Sequence, residues 1–256
     1  MCSIFFAYGA HPKYRLILAA NRDEFYERPT AEAQFWNDAP QVLAGRDLVC
    51  GGTWLGVTTA GRFAAVTNYR DPSAPVGALS RGNLVGDFLR GEDSVRSYLE
   101  KIEREGRNYS GFNLLVGDFD SGIGYFSNRG ADAKILDAGV YGLSNHLLDT
   151  PWRKVRRGKE LFSKLIEDRD FPVESLFEIL RNAETASDAE LPQTGIDAEL
   201  ERALSSIFIA TPVYGTRSST VLLVGENGGV YFEERTYKPN PDIWRKSVFE
   251  FEIKKG

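Results

Sequence analysis

MCSIFFAYGAHPKYRLILAANRDEFYERP (residues 1–29) holds two apolar runs, 2–8 and 15–20, on either side of Gly9-Ala10-His11-Pro12. Runs of this length, rich in Ile, Phe, Leu and Tyr and bounded by turn residues, predict a β-hairpin. Folding the second run back along the first carries the Asn21-Arg22-Asp23-Glu24 tetrad, which ends it, to the side of the amino terminus. Cys2 follows the initiator methionine there. A small second residue generally permits removal of Met1, and Cys2 would then carry a thiol and a free α-amine on one residue. The amine has a reference pKa of about 8, low enough to act as a base near neutrality. The thiol, with a reference value of about 8.5, would be drawn toward thiolate by a cation such as Arg22. One residue would supply nucleophile and base. The alternative is structural: CSIFFAY also reads as a buried strand in which a small apolar thiol packs.

Outward from this hairpin, residues 29–48 hold turn residues and little periodicity, and GGTWLGVTTAGRFAAVTN places apolar runs 54–59 and 62–68 around Ala60-Gly61. A loop is expected at 71–79 and helices at 82–90 and 93–105. Segments 112–118, 123–127, 134–138 and 140–144 read as further antiparallel strands. Thr150 and Pro151 suit the cap and first position of a helix to about 167, with Val155, Phe162, Leu165 and Ile166 on its apolar face. A second helix is expected at 173–183, a polar loop at 184–199, and strands at 217–224, 229–237 and 248–253. This order lacks regular strand–helix–strand alternation, and packed antiparallel sheets with helices on their outer faces satisfy it better than a doubly wound parallel fold.

The 256 residues are 42% hydrophobic and 26% charged, an ordinary globular composition, and the formal net charge of -5 gives no overall field that would gather nucleic acid. Two cysteines, Cys2 and Cys50, exclude a disulfide framework and suit a reducing compartment, so a cytoplasmic protein is expected. The first apolar run is short and soon followed by Lys13 and Arg15, which fits neither a signal peptide nor a membrane span. With two histidines, His11 and His146, and no H-E-x-x-H or paired cysteines, no metal site is expected. Gly51, Gly52 and Gly56 match neither nucleotide-binding fingerprint, and no cofactor is expected. Cys50, in DLVCGGTW with no titrating residue beside it, is expected to pack. Arg153, Lys154, Arg156, Arg157 and Lys159 read either as a solvated helix face or as a patch meeting a ligand's phosphate or carboxylate.

Four polar positions recur at the ends of apolar runs: Arg22-Asp23, Asn68, Asn145 and Arg217. Each suits a turn or sheet end by itself. Together they suit amide hydrolysis, in which an asparagine side-chain amide is a standard oxyanion donor.

MCSIFF (1–6), LAANRDEFYERPT (18–30), GGTWLGVT (51–58), VTNYRDP (66–72), SRGNLV (80–85), LSNHLLDTPWRKV (143–155) and GTRSSTVLLV (215–224) resemble, in order and over essentially the whole chain, the NRDE family, also called the transport and Golgi organisation 2 family. That family in turn resembles the N-terminal nucleophile hydrolases of the choloylglycine hydrolase and penicillin V acylase kind. The resemblance implies an α+β fold, a four-layer αββα sandwich of two antiparallel sheets flanked by helices, as a single domain over 1–256. It also implies roles: Cys2 as nucleophile, Arg22 beside it, Asp23 bonding the α-amine, Asn68 as oxyanion donor, Asn145 as second active-site amide and Arg217 as the late arginine. In those hydrolases the early Arg and Asp are separated in sequence, whereas here they are adjacent, so Glu24 is the alternative to Asp23.

The activity expected is that of an N-terminal-cysteine amidohydrolase or acyltransferase acting on a small amide or acyl substrate. The family's association with haem handling keeps a second reading open, a non-catalytic carrier whose axial ligands would come from His11, His146, Met1 or the cysteines.

Overall fold

The structure, a computed structural model, describes residues 2–119, 121–130, 132–238 and 242–254. In chain order its first strands are β1 (Cys2–Tyr8), β2 (Tyr14–Phe25), β3 (Thr30–Trp36), β4 (Ala39–Asp47), β5 (Leu55–Thr58) and β6 (Arg62–Asn68). Helices α1 (Arg81–Arg90) and α2 (Val95–Glu105) follow, then β7 (Phe112–Asp118), β8 (Gly122–Ser127), β9 (Lys134–Ile135) and β10 (Gly139–Leu143). The remainder comprises α3 (Arg153–Ile166), α4 (Val173–Leu180), α5 (Ala198–Ala203), β11 (Tyr214–Gly225), β12 (Gly229–Tyr237) and β13 (Trp244–Glu252). Among the described residues no helix is long and apolar enough to cross a membrane.

The chain divides into two units, each built on one antiparallel sheet. The first comprises Met1–Glu27, Arg70–Ser73 and Ala138–Glu250, with six strands in the order β10-β1-β2-β11-β12-β13. Alternate residues of its inner strands, Phe5, Ala7, Ile17, Ala19, Val221 and Leu223, meet Phe162 and Ile166 of α3 and Leu176, Phe177 and Leu180 of α4. Each Phe, Ile, Leu or Val side chain among these, fully buried, contributes about 1.5–3 kcal/mol, and the alanines less. The intervening residues Ile4, Phe6, Leu16 and Leu18 are buried too. Burial of both faces is why β1 and β2 read as unbroken apolar runs rather than as an alternation. Helix α3 lies close on β1 because residue 158 is glycine: a Cβ there would stand 2.0 Å from Phe5 Cζ.

The second unit comprises Arg28–Tyr69, Ala74–Asp137 and Phe251–Gly256, with seven strands in the order β3 to β9. Val42, Ala44, Ala64, Val66, Leu114 and Val116 present one face of its sheet to Leu84, Val85 and Phe88 of α1 and to Val95, Leu99 and Ile102 of α2. Ser80 and Ser94 cap these helices, each accepting from a backbone N–H of the first turn.

The expected α+β class, with antiparallel sheets and helices on them, is what the chain forms. Three local expectations differ. Residues 29–48, read as turn-rich, form the β3–β4 hairpin. A short helix, α5, begins inside the stretch read as loop. Helix α3 starts at Arg153, with Trp152 at the cap position and Thr150 outside it: the Thr150 hydroxyl is taken by His146 Nδ1 at 2.8 Å.

Candidate active site

The hairpin turn after β1 uses Gly9 at φ 56°, and its N–H donates to the Arg15 carbonyl at 3.0 Å, fixing the register of everything beyond. In that register Cys2 stands opposite Arg22, and Arg22 in turn opposite Ser218 of β11. Directly opposed residues of an antiparallel ladder project from the same face, so Cys2, Arg22 and Ser218 form one row across three strands. The tetrad lies within β2 rather than at the end of a shorter strand, because β11 continues to pair with it as far as Phe25.

Asp23, one residue on, faces the other way and pairs with Thr216, whose hydroxyl donates to Asp23 Oδ1 at 2.8 Å. The Tyr214 hydroxyl donates to the Asp23 carbonyl oxygen at 2.9 Å. Asp23 is 1% exposed, whereas Glu24 is half-buried and accepts the Phe25 N–H at 2.9 Å. Asn21 clips sheet to helix: its side-chain amide donates to the carbonyls of Leu180 and Ile207 at 2.8 and 2.9 Å and its oxygen accepts from Ser219 at 2.6 Å. The register shifts between Thr216 and Ser218, and Arg217 is the extra residue there. Its guanidinium donates to the Phe25 carbonyl at 2.7 Å.

The loop after β10 closes on the same row. Ser144 donates to the Cys2 carbonyl at 3.0 Å and lies 3.2 Å from Asn145 Oδ1. Asn145 is fully buried, its carbonyl accepts the Arg70 N–H at 2.7 Å, and its Oδ1 receives Lys154 Nζ at 3.5 Å. Arg70 pairs with Glu201, buried like itself, and stacks over the Trp152 ring at 4.9 Å. A small recess is lined by Arg70, Trp152, Lys154 and Glu201 among others.

Burial governs the electrostatics. It raises the Cys2 thiol above its usual range, an effect strengthened by the Asp23 carboxylate and opposed by the positive amino terminus, Arg22 and an Asp23 backbone hydrogen bond. Burial also raises Asp23, against the pull of the amino terminus, Lys154 and the Thr216 hydroxyl. Lys154 is drawn down to about 8, by burial first and by Arg70 second. The site is therefore a set of ionisable groups, Asp23 and Lys154 buried and Cys2 half-buried, whose charges depend on one another.

Cys2, Arg22, Asp23, Asn145 and Arg217 all fall in the first unit. Asn68 ends β6 in the second, opposite Phe112 of β7 and half-buried. Met1 lies outside the described residues. His11 is buried between Tyr14 and Phe171, and His146 holds Thr150, so both are engaged in local packing and hydrogen bonds. Cys50 departs from expectation: it is exposed in a turn whose Cys50 N–H donates to Asp47 Oδ1 at 2.9 Å. The basic cluster divides. Arg153, Arg156, Arg157 and Lys159 form surface ion pairs, while Lys154 is 2% exposed and belongs to the site. Its helical phase carried the signal, since 154, 158, 162 and 166 lie on one stripe with Gly158, Phe162 and Ile166.

Two such sheets with their helices are the fold of the N-terminal nucleophile hydrolases. A Caenorhabditis elegans N-acylethanolamine-hydrolyzing acid amidase ortholog superposes with a TM-score of 0.53 at 10% identity, over 87% of this chain and 92% of its own. The C2A mutant of the conjugated bile acid hydrolase from Clostridium perfringens gives 0.53 at 11%, over 99% and 92%. By sequence the chain belongs to the Transport and Golgi organisation 2 family, whose model matches residues 1–239. It is 43% identical over 274 residues to the Bos taurus Transport and Golgi organization protein 2 homolog, covering 99% of each chain. It is 41% identical to the Homo sapiens homolog, again over 99% of each, and 31% identical to the Drosophila melanogaster Transport and Golgi organization protein 2 over the full length of both.

Proposed function

We propose that this protein is an N-terminal-cysteine amidohydrolase or acyltransferase acting on a small amide or acyl substrate. The observation that carries the reading is the register that sets Cys2 opposite Arg22 with buried Asp23 at the next position. Two proteins sharing the fold are named as hydrolases of N-acylethanolamines and of conjugated bile acids, and one was crystallised with its second-position cysteine changed to alanine.

In this scheme Met1 is removed. The α-amine of Cys2 takes the thiol proton, sulfur bonds to the substrate carbonyl carbon, and Asn68 donates to the oxyanion. Collapse breaks the carbon–nitrogen bond, the α-ammonium gives its proton to the departing amine, and a thioester remains on Cys2. Water, or an amine in a transferase, then attacks that thioester, restoring the thiol. Asp23 bonds and orients the α-amine, Arg22 favours thiolate, and Asn145 and Arg217 border the substrate.

Intact mass before and after iodoacetamide, with hydrolysis of an N-acylethanolamine and a conjugated bile acid, tests the reading. Loss of Met1, preferential labelling at Cys2 over Cys50 with peptide mapping, and hydrolysis abolished by Cys2→Ala are expected. Retention of Met1, or full activity in Cys2→Ala, sinks it.

A further inference from the structure

One buried cation takes no part in that scheme. Lys154 reaches the site from the first turn of α3, and among the described residues its one hydrogen bond is the 3.5 Å contact with Asn145 Oδ1. An ammonium has three donors, and a buried one so poorly filled is stable only where anions share its surroundings. Those facing it are the Asp23 carboxylate on β2, the Cys2 sulfur on β1 when ionised, and Glu201 on α5, with Arg70 opposing them. Arg22 adds positive charge beside the sulfur, and burial keeps the Tyr214 phenol on β11 neutral. Glu201 is already engaged by Arg70 and Thr194, and Asp23 by Thr216. The sulfur differs from both, because its charge appears only as its proton leaves.

The backbone ties the two groups together. Ser144 holds the Cys2 carbonyl and the next residue, Asn145, holds Lys154 Nζ, so adjacent residues of one loop position both members. We propose that Lys154 is the charge partner of the Cys2 nucleophile, so that thiolate and ammonium form together and the lysine sets how much of the sulfur is ionised. Thiol with neutral amine and thiolate with ammonium hold the same number of protons: an S–H bond is lost, an N–H bond is gained, and no outside acid or base is consumed. Lys154, drawn down to about 8, holds ammonium and free amine in comparable amounts around that pH, where the exchange can run, and is mostly ammonium at pH 7, where its charge favours the thiolate. The inference rests on Cys2 being the nucleophile; it gives Lys154 the thiol proton that the scheme above gives the α-amine, and the α-amine then enters as its ammonium, protonates the departing amine and recovers a proton from the attacking water.

The rate of Cys2 alkylation by iodoacetamide is to be followed against pH by peptide mass in the full chain, with Met1 status recorded for each sample. Lys154→Met, of similar length and without charge, is expected to slow labelling at pH 7 by about tenfold and to raise the midpoint by about one pH unit. Lys154→Arg, which restores the charge, should keep a midpoint near that of the wild type. Superimposable profiles for wild type and Lys154→Met overturn the proposal, as does a Lys154→Arg profile that follows Lys154→Met, since that would mark a packing role. Coupling is reciprocal, so Cys2→Ala should lower the Lys154 midpoint read from its ¹³Cε shift. This readout serves if Lys154→Met fails to fold, and an unmoved lysine midpoint overturns the proposal by itself. Alkylation needs no substrate: full hydrolysis in Cys2→Ala defeats the hydrolase reading, whereas unchanged labelling in Lys154→Met defeats only the charge partnership.

Discussion

Arg22 and Asp23 are neighbours in the chain, yet the pleat of β2 sends one into the Cys2 row and the other toward Thr216. Adjacent residues thereby act on opposite sides of one strand, and this makes Thr216 consequential. Its hydroxyl donates to Asp23 and accepts the Ile209 N–H at 2.9 Å. Thr216→Val should cost about 2–3 kcal/mol in urea unfolding, because two buried polar groups lose a partner, while Thr216→Ser should stay near wild type. If Asn68 donates to the oxyanion, Asn68→Ala should lower turnover by about a hundredfold and leave Cys2 alkylation unchanged. Lys154 gives a pH signature of its own. Folded, it titrates near 8, whereas an unfolded lysine titrates at about 10.4, so between those values the unfolded chain binds a proton the folded chain does not. Its contribution to stability therefore rises with pH through that window. The unfolding free energy of wild type minus that of Lys154→Met should climb between pH 8 and 10.5 and be flat below about 7.5; a flat difference throughout would show that the lysine is not buried as a base. In the sequence Cys2, Arg22 and Asp23 could be picked out because position and hairpin logic single them out. Lys154 was hidden among four other basic residues, where charge suggested solvent and only the stripe through Gly158 and Phe162 pointed inward.

Helix α3 couples the site to the sheet, and its approach to β1 depends on a single missing side chain. Gly158→Ala would drive a methyl into the Phe5 ring, and since Phe5 is fully buried in the cluster beneath the helix, ring or helix must shift. Overpacking of this kind typically costs about 1–3 kcal/mol. Chemical denaturation should show that loss, and Cys2 alkylation should change with it, because Lys154 sits one turn before the glycine. Elements with strong periodicity or unbroken apolar runs were legible: β1, β6, β7, α2 and α3 all fall within a few residues of expectation, and β2 begins where expected but runs on through the tetrad. The β3–β4 hairpin was not, and the reason is geometric. Its register shifts between Ala31 and Gln34 and again between Phe35 and Trp36, which breaks the two-residue alternation by which a half-buried strand is read. Helix α5 spans six residues, too few to display a helical period.

The chain passes between the two units after residues 27, 69, 73, 137 and 250, so neither unit is a continuous segment. We propose that 1–256 behaves as one domain. Thermal unfolding followed by near-ultraviolet dichroism and by tryptophan fluorescence should give coincident transitions, and two resolved transitions would separate the units. The interleaving also orders events on the ribosome. The β1–β2 hairpin is synthesised before the strands on either side of it: it occupies the middle of its sheet, and its neighbours β10 and β11 are encoded from Gly139 and Tyr214 onward. At about 5–20 residues per second, two apolar strands must wait on the order of ten seconds or more with both edges unpaired. Of the two sheets, the one that carries Cys2 is thus begun first and completed last, and a nascent chain of this protein is exposed to chaperones and to misassociation along the very strands that carry Cys2 and Arg22.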